Sequence, residues 1–376
     1  MSSNTGKRVV VFGGGIAGVQ LAKALAKETR VTLVDPNDYF EVPMAAPRCL
    51  VSPKFAGQSV IPYAASLPTV EFVQGRLIEM SAAGGEVQIG DGSRITLRGD
   101  VNVLCTGNAY SNSLMRSVGG SAQARRDFYL QYRDALNAAR RILIVGGGPI
   151  GVEVAGEISE VHPDKSLTIL EGGPRLLAGT SELAAQHAAA VLASRGVSIL
   201  VGERLQSATT NSKDIFGGRG LATTTSGREI AYDLLIWCTG GRPSTSYMQA
   251  NFSGALDERG RIRVGEDLRV AGQKRLLALG DITDLDENKM AWHITGQVSV
   301  AAHNIQRILG GHDQSSKLAK YKAQTGNPKM AITLGSRQGV LHMPPFGVIR
   351  SPLLTRKAKA EHMLVPKYRK LLQVGA

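Results

Sequence analysis

The sequence predicts an α/β protein built on two parallel sheets, and three features of the chain support this prediction. A short apolar strand, a glycine-rich turn and a helix follow one another at Arg8–Leu25 and again at Arg141–Ile158. Glycine accounts for 44 of the 376 residues, well above the ordinary usage of about 7%, and the glycines cluster where strands end. The chain is also long enough for two or three domains with large buried cores.

The first of these segments has the spacing of a dinucleotide fingerprint. After the predicted strand Val9–Phe12, the first glycine permits a sharp turn, the second lets the backbone approach a pyrophosphate, and the third lets helix and strand pack closely. The next predicted strand, Val31–Val34, ends at an acid whose carboxylate can accept both ribose hydroxyls. The residues predicted to bind this dinucleotide are Gly13, Gly15, Ala17, Gly18 and Asp35.

The second segment repeats the pattern. The predicted strand Ile142–Val145 leads into three glycines at the same spacing and a helix that continues to about Val161. The next strand ends at Glu171, whose charge would repel the 2′-phosphate of NADPH. NADH is therefore expected to be preferred over NADPH. The positive charge of Arg175, four residues further on, is expected to reduce this preference. The residues predicted to bind the second dinucleotide are Gly146, Gly148, Pro149, Ile150, Gly151 and Glu171.

Three later segments complete the pattern. Val101–Ser111 and Tyr232–Ser244 each contain a buried-type strand that ends in Cys-Thr-Gly, at a similar distance beyond their own fingerprints. In Arg275–Ile305, an acid just past a strand end is placed to hold the ribitol of a flavin, or else caps a loop, and a helix then starts with its amides towards the flavin ring. The residues predicted to bind cofactor here are Thr106, Gly107, Gly240, Gly280, Asp281, Met290 and Ala291.

These elements, in this order, resemble the two-dinucleotide-binding flavoproteins, a family that includes the pyridine nucleotide-disulfide oxidoreductases, type II NADH dehydrogenases and apoptosis-inducing-factor-like proteins. The resemblance implies two Rossmann-like domains arranged as in glutathione reductase, with FAD on the first fingerprint and NADH, or NADPH, on the second. It implies an FAD-binding domain at 1–108 and 242–311, an NAD(P)H-binding domain at 109–241, and a small, basic α+β C-terminal domain at 312–376.

Within the family, the chain has no CxxxxC after the first fingerprint, which argues against a disulfide reductase. Asp35–Tyr63 and Met330–Lys370 resemble the ferroptosis suppressor flavoproteins and their plant relatives. This resemblance implies that Arg48 lies near the flavin and Lys359 near the active site, although Glu361 and His362 replace the Arg-Asp that relatives tend to have. Ser2 stands where the animal proteins carry an acylated glycine, so no N-myristoylation is expected.

The resemblance also implies that Glu153 approaches the nicotinamide, although an acid in the first turn of a helix is favoured by the helix dipole alone. Because the chain has no redox dithiol, the acceptor must reach the flavin itself, and a planar quinone is predicted. Lys289 and Lys359 are expected to stabilise a developing quinol oxyanion. Trp292 either stacks on the acceptor or packs in the core, and His293 is expected to pack. No metal site is predicted.

Charge is concentrated at the C-terminal end of the chain. The net charge is +13, and twelve lysines and arginines face two acids between His312 and Ala376. Such a region predicts an anionic partner, or else a solvated basic surface. Met343–Lys357 mixes apolar and basic residues as membrane-interfacial segments do, although its three prolines argue against one continuous helix. The chain has no signal peptide and no apolar run of the ~18 residues that a membrane span requires, so a cytoplasmic protein, peripheral on a membrane, is expected.

Three functional hypotheses remain open at this stage. The first is an FAD-dependent NADH:quinone oxidoreductase at an anionic membrane surface. The second is a reductase of a small electron-carrier protein that docks on the basic region. The third is a redox-gated binding protein whose basic tail changes its affinity for a partner; nucleic acid is not the expected one. The sequence predicts no particular oligomeric state.

Overall fold

The computed structural model describes residues 6–110, 113–117, 119–210, 215–326 and 329–374, so Ser2 lies outside the described residues. The larger sheet has the spatial strand order Leu276–Ala278, Val101–Leu104, Arg8–Phe12, Arg30–Asp35, Glu71–Ser81, Gly84–Ile89 and Arg94–Leu97. The first five of these strands are parallel, and the last two extend the sheet as an antiparallel meander. The fingerprint strand Arg8–Phe12 lies inside the sheet and is buried on both faces, which explains its unbroken apolar run.

The second parallel sheet repeats this local arrangement. Its strands are, in spatial order, Ser198–Val201, Ser166–Glu171, Arg141–Val145 and Leu234–Trp237. The second fingerprint strand, Arg141–Val145, therefore has the strand that ends in the acid on one side and the Cys-Thr-Gly strand on the other. A three-stranded antiparallel sheet accompanies it, formed by Leu205–Ala208, Gly220–Thr224 and Glu229–Tyr232.

The chain crosses between the two parallel sheets twice, and the two crossings pair with each other. Asn108–Ala109 and Arg242–Pro243 form a short antiparallel ladder. Thr106 reinforces this junction, because its Oγ1 donates to the Ser244 carbonyl at 2.7 Å. The predicted boundaries at 108/109 and 241/242 fall on this ladder, and the division into domains remains a prediction.

Helices cover both sheets. The longer ones are Ile16–Leu25, Ala122–Ala138, Pro149–Val161, Glu182–Ser194 and Ala291–Leu309. The shorter ones are Ala46–Val51, Ala56–Ser59, Tyr63–Ser66, Gln249–Phe252, Pro352–Thr355 and Val365–Leu371, and a two-stranded hairpin joins Tyr39–Glu41 to Val60–Pro62. In the described part of the chain, none of the helices has the length and apolar character needed to cross a membrane.

The C-terminal region forms a three-stranded antiparallel sheet of Met330–Leu334, Gln338–Met343 and Gly347–Ile349. Its first strand packs on the helix Pro149–Val161, and Gly156 makes this close approach possible. A Cβ at Gly156 would lie 2.6 Å from the Leu334 Cα. The segment Met343–Lys357 forms a hairpin return and a short helix, so its prolines do prevent one continuous helix.

Replacing Gly156 with Ala is expected to destabilise the protein by about 1–3 kcal/mol, because the added methyl would collide with the backbone of the C-terminal sheet. Thermal unfolding measures the effect as a fall of several degrees in the melting temperature. Gly57→Ala is the matched control, since Gly57 also lies in a helix and a Cβ there meets nothing within 4 Å. Equal melting temperatures for the two variants would contradict this packing.

Candidate functional site

The three glycines of the first fingerprint serve different purposes. Gly13 has a φ of 104°, and a Cβ there would lie 2.4 Å from the Cys105 carbonyl oxygen. A Cβ at Gly18 would lie 1.8 Å from the Gly13 carbonyl oxygen, so this glycine lets the helix pack against the strand. A Cβ at Gly15 would meet no atom closer than the Arg116 Nη2, at 3.5 Å. The second glycine therefore faces space that a ligand can occupy.

The three glycines of the second fingerprint have the same three roles. Gly146 has a φ of 110°, and a Cβ there would lie 2.7 Å from the Cys238 carbonyl oxygen. A Cβ at Gly151 would lie 1.9 Å from the Gly146 carbonyl oxygen, whereas a Cβ at Gly148 would meet nothing within 4 Å. Both turns are thus shaped for close backbone approach by a ligand at the middle glycine.

The acid at the end of each second strand braces its own turn. Asp35 Oδ2 accepts a hydrogen bond from the Gly14 N–H at 2.6 Å, and Glu171 Oε2 accepts one from the Gly147 N–H at 2.5 Å. Burial raises the pKa of Asp35, an effect that the nearby Arg116 charge and the N–H donors oppose. Asp35 Oδ1 also accepts hydrogen bonds from the Asn37 N–H and side-chain amide, and Glu171 Oε1 accepts one from the Gly173 N–H. Of the about four acceptor positions of a carboxylate, about one therefore remains on Asp35 and about two on Glu171 for ribose hydroxyls.

A single cleft begins at the first fingerprint and reaches the second fingerprint helix. Its lining includes Asp35, at the end of the strand that follows the first fingerprint helix, and Ile150 and Glu153 of the second fingerprint helix. The predicted site residues that line it are Gly15, Ala17, Asp35, Gly107, Ile150, Glu153, Gly280, Asp281, Lys289 and Ala291. The structure therefore brings together residues from both fingerprints and from the segment Arg275–Ile305.

Asp281 and Lys289 face the cleft from the segment after the strand Leu276–Ala278. Asp281 Oδ2 accepts a hydrogen bond from the Asn108 amide at 3.0 Å, and burial raises the pKa of Asp281 against the opposing charges of Arg116 and Lys289. Lys289 Nζ donates to the Leu285 carbonyl at 2.8 Å. Burial, together with the Arg261 charge, lowers the pKa of Lys289.

Glu153 and Lys359, predicted from separate parts of the chain, form a buried ion pair at 2.5 Å. The same Glu153 Oε1 accepts hydrogen bonds from the Thr333 N–H at 2.9 Å and the Thr333 hydroxyl at 3.1 Å. Lys359 Nζ also donates to the Ala331 carbonyl at 3.0 Å. The C-terminal region therefore holds the Glu153 carboxylate in one position at the cleft.

Arg48 lies outside the cleft lining. Its guanidinium forms a two-point ion pair with Glu157 of the second fingerprint helix, in which Nη2 lies 2.8 Å from Oε1. Arg48 Nη2 also donates to the Ala360 carbonyl at 2.9 Å. Arg48 thus joins three segments of the chain, and its place near the flavin remains a prediction.

Two other predicted cofactor residues border the cleft without lining it. Thr106 is bonded to Ser244 and to the Tyr247 hydroxyl at 2.7 Å, and Met290 packs against the core at the start of the helix Ala291–Leu309. Gly240 has nothing within 4 Å of the position of a Cβ. Thr106 and Met290 each precede a residue that lines the cleft, Gly107 and Ala291 respectively.

Arg116 is the main cleft residue that sequence reasoning missed. Its Nη1 would lie 2.9 Å from a Cβ at Gly107, its Nη2 lies beside Gly15, and its charge lowers the pKa values of both Asp35 and Asp281. Among the described residues it has no hydrogen-bond or ion-pair partner. A lone arginine in a loop carries no spacing signal, so only the structure reveals this unpaired cation between two acids.

Two arginines, Arg175 and Arg204, lie near Glu171, and their side chains have different surroundings. Arg175 donates to the carbonyls of Leu177 at 3.1 Å and Thr180 at 2.7 Å, so its guanidinium stabilises its own turn. Its effect on nucleotide preference remains a prediction. Arg204 instead lies beside the site, because a Cβ at Gly172 would be 2.7 Å from the Arg204 Cγ. The guanidinium of Arg204 makes no hydrogen bond to the described residues.

The three cysteines carry no dithiol chemistry. Cys49, Cys105 and Cys238 are all unpaired with one another and buried. Burial raises the pKa values of Cys49 and Cys238 to about 12, and that of Cys105 also rises, so all three remain thiols at neutral pH. Within the described ranges, no group of three His, Cys, Asp or Glu residues could hold a metal ion.

Comparisons with known proteins agree with this architecture. A family model for pyridine nucleotide-disulphide oxidoreductases matches residues 7–305. Ferroptosis suppressor protein 1 of Mus musculus is 29% identical over 370 residues, which cover 97% of this chain and 96% of that protein.

Two solved structures share the fold across almost the whole chain. NDH2 from Plasmodium falciparum, in complex with NADH, has a TM-score of 0.72 and 14% identity, and the match covers 97% of this chain and 94% of that one. The sulfide:quinone oxidoreductase of Aquifex aeolicus has a TM-score of 0.70 and 16% identity over 98% of this chain and 95% of that one. These likenesses confirm the predicted α/β fold class. The family model, which matches residues 7–305, establishes that the chain belongs to the pyridine nucleotide-disulphide oxidoreductase family.

Proposed function

We propose that the protein is an FAD-dependent NAD(P)H:quinone oxidoreductase, in which NADH reduces FAD and the electrons pass to a quinone. One observation carries this proposal: a single cleft is lined both by the turn of the first fingerprint and by Glu153 of the second fingerprint helix. Two dinucleotides can therefore meet in it. The matched structures named for NADH binding and for quinone reduction support the same reading.

The cleft residues suit FAD. Asp35 would hold the adenosine ribose, Gly15 and Arg116 the pyrophosphate, and Asp281 the ribitol, with the helix that begins at Ala291 directed at the flavin ring. A bound diphosphate would account both for the open face of Gly15 and for the Arg116 guanidinium, which has no hydrogen-bond or ion-pair partner in the described part of the chain. When bound, FAD supplies the hydride and electron transfer that no side chain offers.

Glu153 is proposed to act on the nicotinamide. Loss of hydride makes the nicotinamide ring cationic, so a fixed carboxylate beside it favours the product charge. Thr333 and Lys359 orient that carboxylate, and burial of the pair excludes water from it. For hydride transfer, the protein must position the two reacting rings and exclude water from them.

The acceptor side of the proposal depends on Lys289. Because the buried thiols cannot relay electrons, the acceptor must approach the cofactor directly. Lys289 lines the cleft with a lowered pKa and can supply a proton to a developing quinol oxyanion. Lys359 is engaged by Glu153 and the Ala331 carbonyl, so it serves as a positioning residue for Glu153 rather than a proton donor.

Acceptor kinetics test the proposal directly. With saturating NADH, kcat/KM for a water-soluble quinone is expected to exceed that for a small iron–sulfur carrier protein, and to change little with salt because a neutral quinone has no charge to screen. Faster, strongly salt-dependent reduction of the carrier protein would contradict it. Very slow reoxidation by every quinone would also contradict it and would favour the redox-gated binding protein.

Arg116→Gln is expected to weaken FAD binding about tenfold to a hundredfold, because it removes a charge-assisted contact to the pyrophosphate. Titration of apoprotein with FAD, followed by flavin fluorescence, measures the dissociation constant. Arg133→Gln is the control, since Arg133 pairs with Asp134 on the surface at 2.9 Å. Equal FAD affinity in the two variants would remove Arg116 from the proposed site.

Nucleotide preference is proposed to depend on opposing charges at Glu171 and Arg204. Glu171→Gln should raise the ratio of kcat/KM for NADPH to that for NADH about tenfold, because the 2′-phosphate no longer meets a carboxylate. Arg204→Gln should lower the same ratio by a similar factor. An unchanged ratio in both variants would show that neither side chain faces the 2′ position.

A further inference from the structure

The backbone that follows Lys359 is held in an unfavourable conformation. Lys359 lies in a π-helical turn, Arg356–Ala360, and the chain then passes through Met363 and Leu364, which have φ angles of 47° and 62°. Residues with a Cβ disfavour this left-handed region and visit it singly rather than in succession. Such a conformation persists only where neighbouring groups hold it. We call Met363–Leu364 the left-handed turn.

His362 holds the left-handed turn through both nitrogens of its ring. Nδ1 accepts a hydrogen bond from the Leu364 N–H at 3.1 Å, and Nε2 lies 3.0 Å from the Lys357 carbonyl oxygen. A backbone N–H can only donate, so Nδ1 is the unprotonated nitrogen, and the neutral ring donates from Nε2 to the carbonyl. The imidazole therefore links the backbone on the two sides of Lys359.

Met363 connects the left-handed turn to both residues that hold the Glu153 carboxylate. Its N–H donates to the Lys359 carbonyl at 2.7 Å, and its Sδ lies 3.9 Å from the Thr333 Oγ1. Lys359 and Thr333 are the side chains that fix Glu153 at the cleft. Because Met363 is fully buried in a close-packed interior, a shift of the turn would be transmitted to these two contacts.

We propose that His362 is a positioning residue for the reduction of the flavin by NADH, acting through the left-handed turn on the ion pair of Lys359 with Glu153. The inference rests on the proposed function, in which the Glu153 carboxylate acts on the nicotinamide. His362 does not line the cleft, so it acts only through the turn. Reduction of FAD by NADH should therefore depend on His362, whereas FAD binding and reoxidation by quinone, which were assigned to other residues, should not.

Three substitutions at His362 separate its two hydrogen bonds. His362→Asn keeps an acceptor for the backbone N–H two residues further on, as asparagine does in turns, but is too short to reach the Lys357 carbonyl. His362→Gln keeps a donor for that carbonyl and loses the acceptor, and His362→Ala loses both. His303→Ala is the control, because His303 is exposed on the helix Ala291–Leu309 and its side chain has no hydrogen-bond partner among the described residues.

Stopped-flow kinetics of the holoenzyme measure the two half-reactions separately. Anaerobic flavin reduction by NADH is expected to slow about tenfold in His362→Ala and His362→Gln, because the carboxylate beside the nicotinamide is no longer fixed. His362→Asn should stay within about twofold of the wild-type rate, since its bond to the turn survives. Reoxidation of the reduced flavin by a water-soluble quinone and the affinity for FAD should be unchanged in all three variants, and His303→Ala should match the wild type throughout.

Four results separate failure of this inference from failure of the proposed function. A wild-type rate of flavin reduction in His362→Ala, or an equal loss in His362→Asn and His362→Ala, overturns the inference. Parallel losses of flavin reduction, reoxidation and FAD affinity also overturn it, because they indicate a general loosening of the fold. Nitrogen NMR of histidine-labelled protein at mildly alkaline pH should show the His362 ring protonated on Nε2, and a proton on Nδ1 overturns the inference whatever the activity. A wild-type flavin that NADH does not bleach overturns the proposed function itself.

Discussion

The helix Pro149–Val161 carries three glutamates on one face, and each holds a different part of the chain. Glu153 pairs with Lys359, Glu157 pairs with Arg48, and Glu160 accepts a hydrogen bond from the Ser336 N–H at 2.8 Å. Their spacing of four and three residues places them on one side of a helix. Because Glu153 and Glu157 are buried, each needs its partner, and removing one member of such a pair typically costs about 3–5 kcal/mol.

This acidic face makes the candidate site a composite of all three regions. The second fingerprint contributes Glu153, the C-terminal sheet contributes Thr333, and the segment before the last helix contributes Lys359. Arg48 binds the first region to the same helix through Glu157. The C-terminal region therefore contributes to the candidate site, because Thr333 and Lys359 hold the Glu153 carboxylate.

Local constraints explain what the sequence predicted well. The strand, glycine and acid of each fingerprint are close in sequence and determined by backbone geometry, so the turns at Gly13 and Gly146 were predicted. Interactions that no motif encodes explain what the sequence did not predict. Arg48 pairs with Glu157, 109 residues away, and Arg175 donates to carbonyls of its own turn. Arg116 belongs to no motif and is recognised only by its place between Asp35 and Asp281.

Whether two dinucleotides meet in one cleft can be measured by an anaerobic titration of the purified protein with NADH, followed by its visible spectrum. We expect a bound flavin whose absorbance is bleached by NADH and restored by a short-chain quinone. Bleaching should be much slower in Glu153→Gln, which retains the shape of the side chain and loses its charge. A protein without flavin, or a flavin that NADH does not bleach, would show that the two dinucleotides do not react in this cleft.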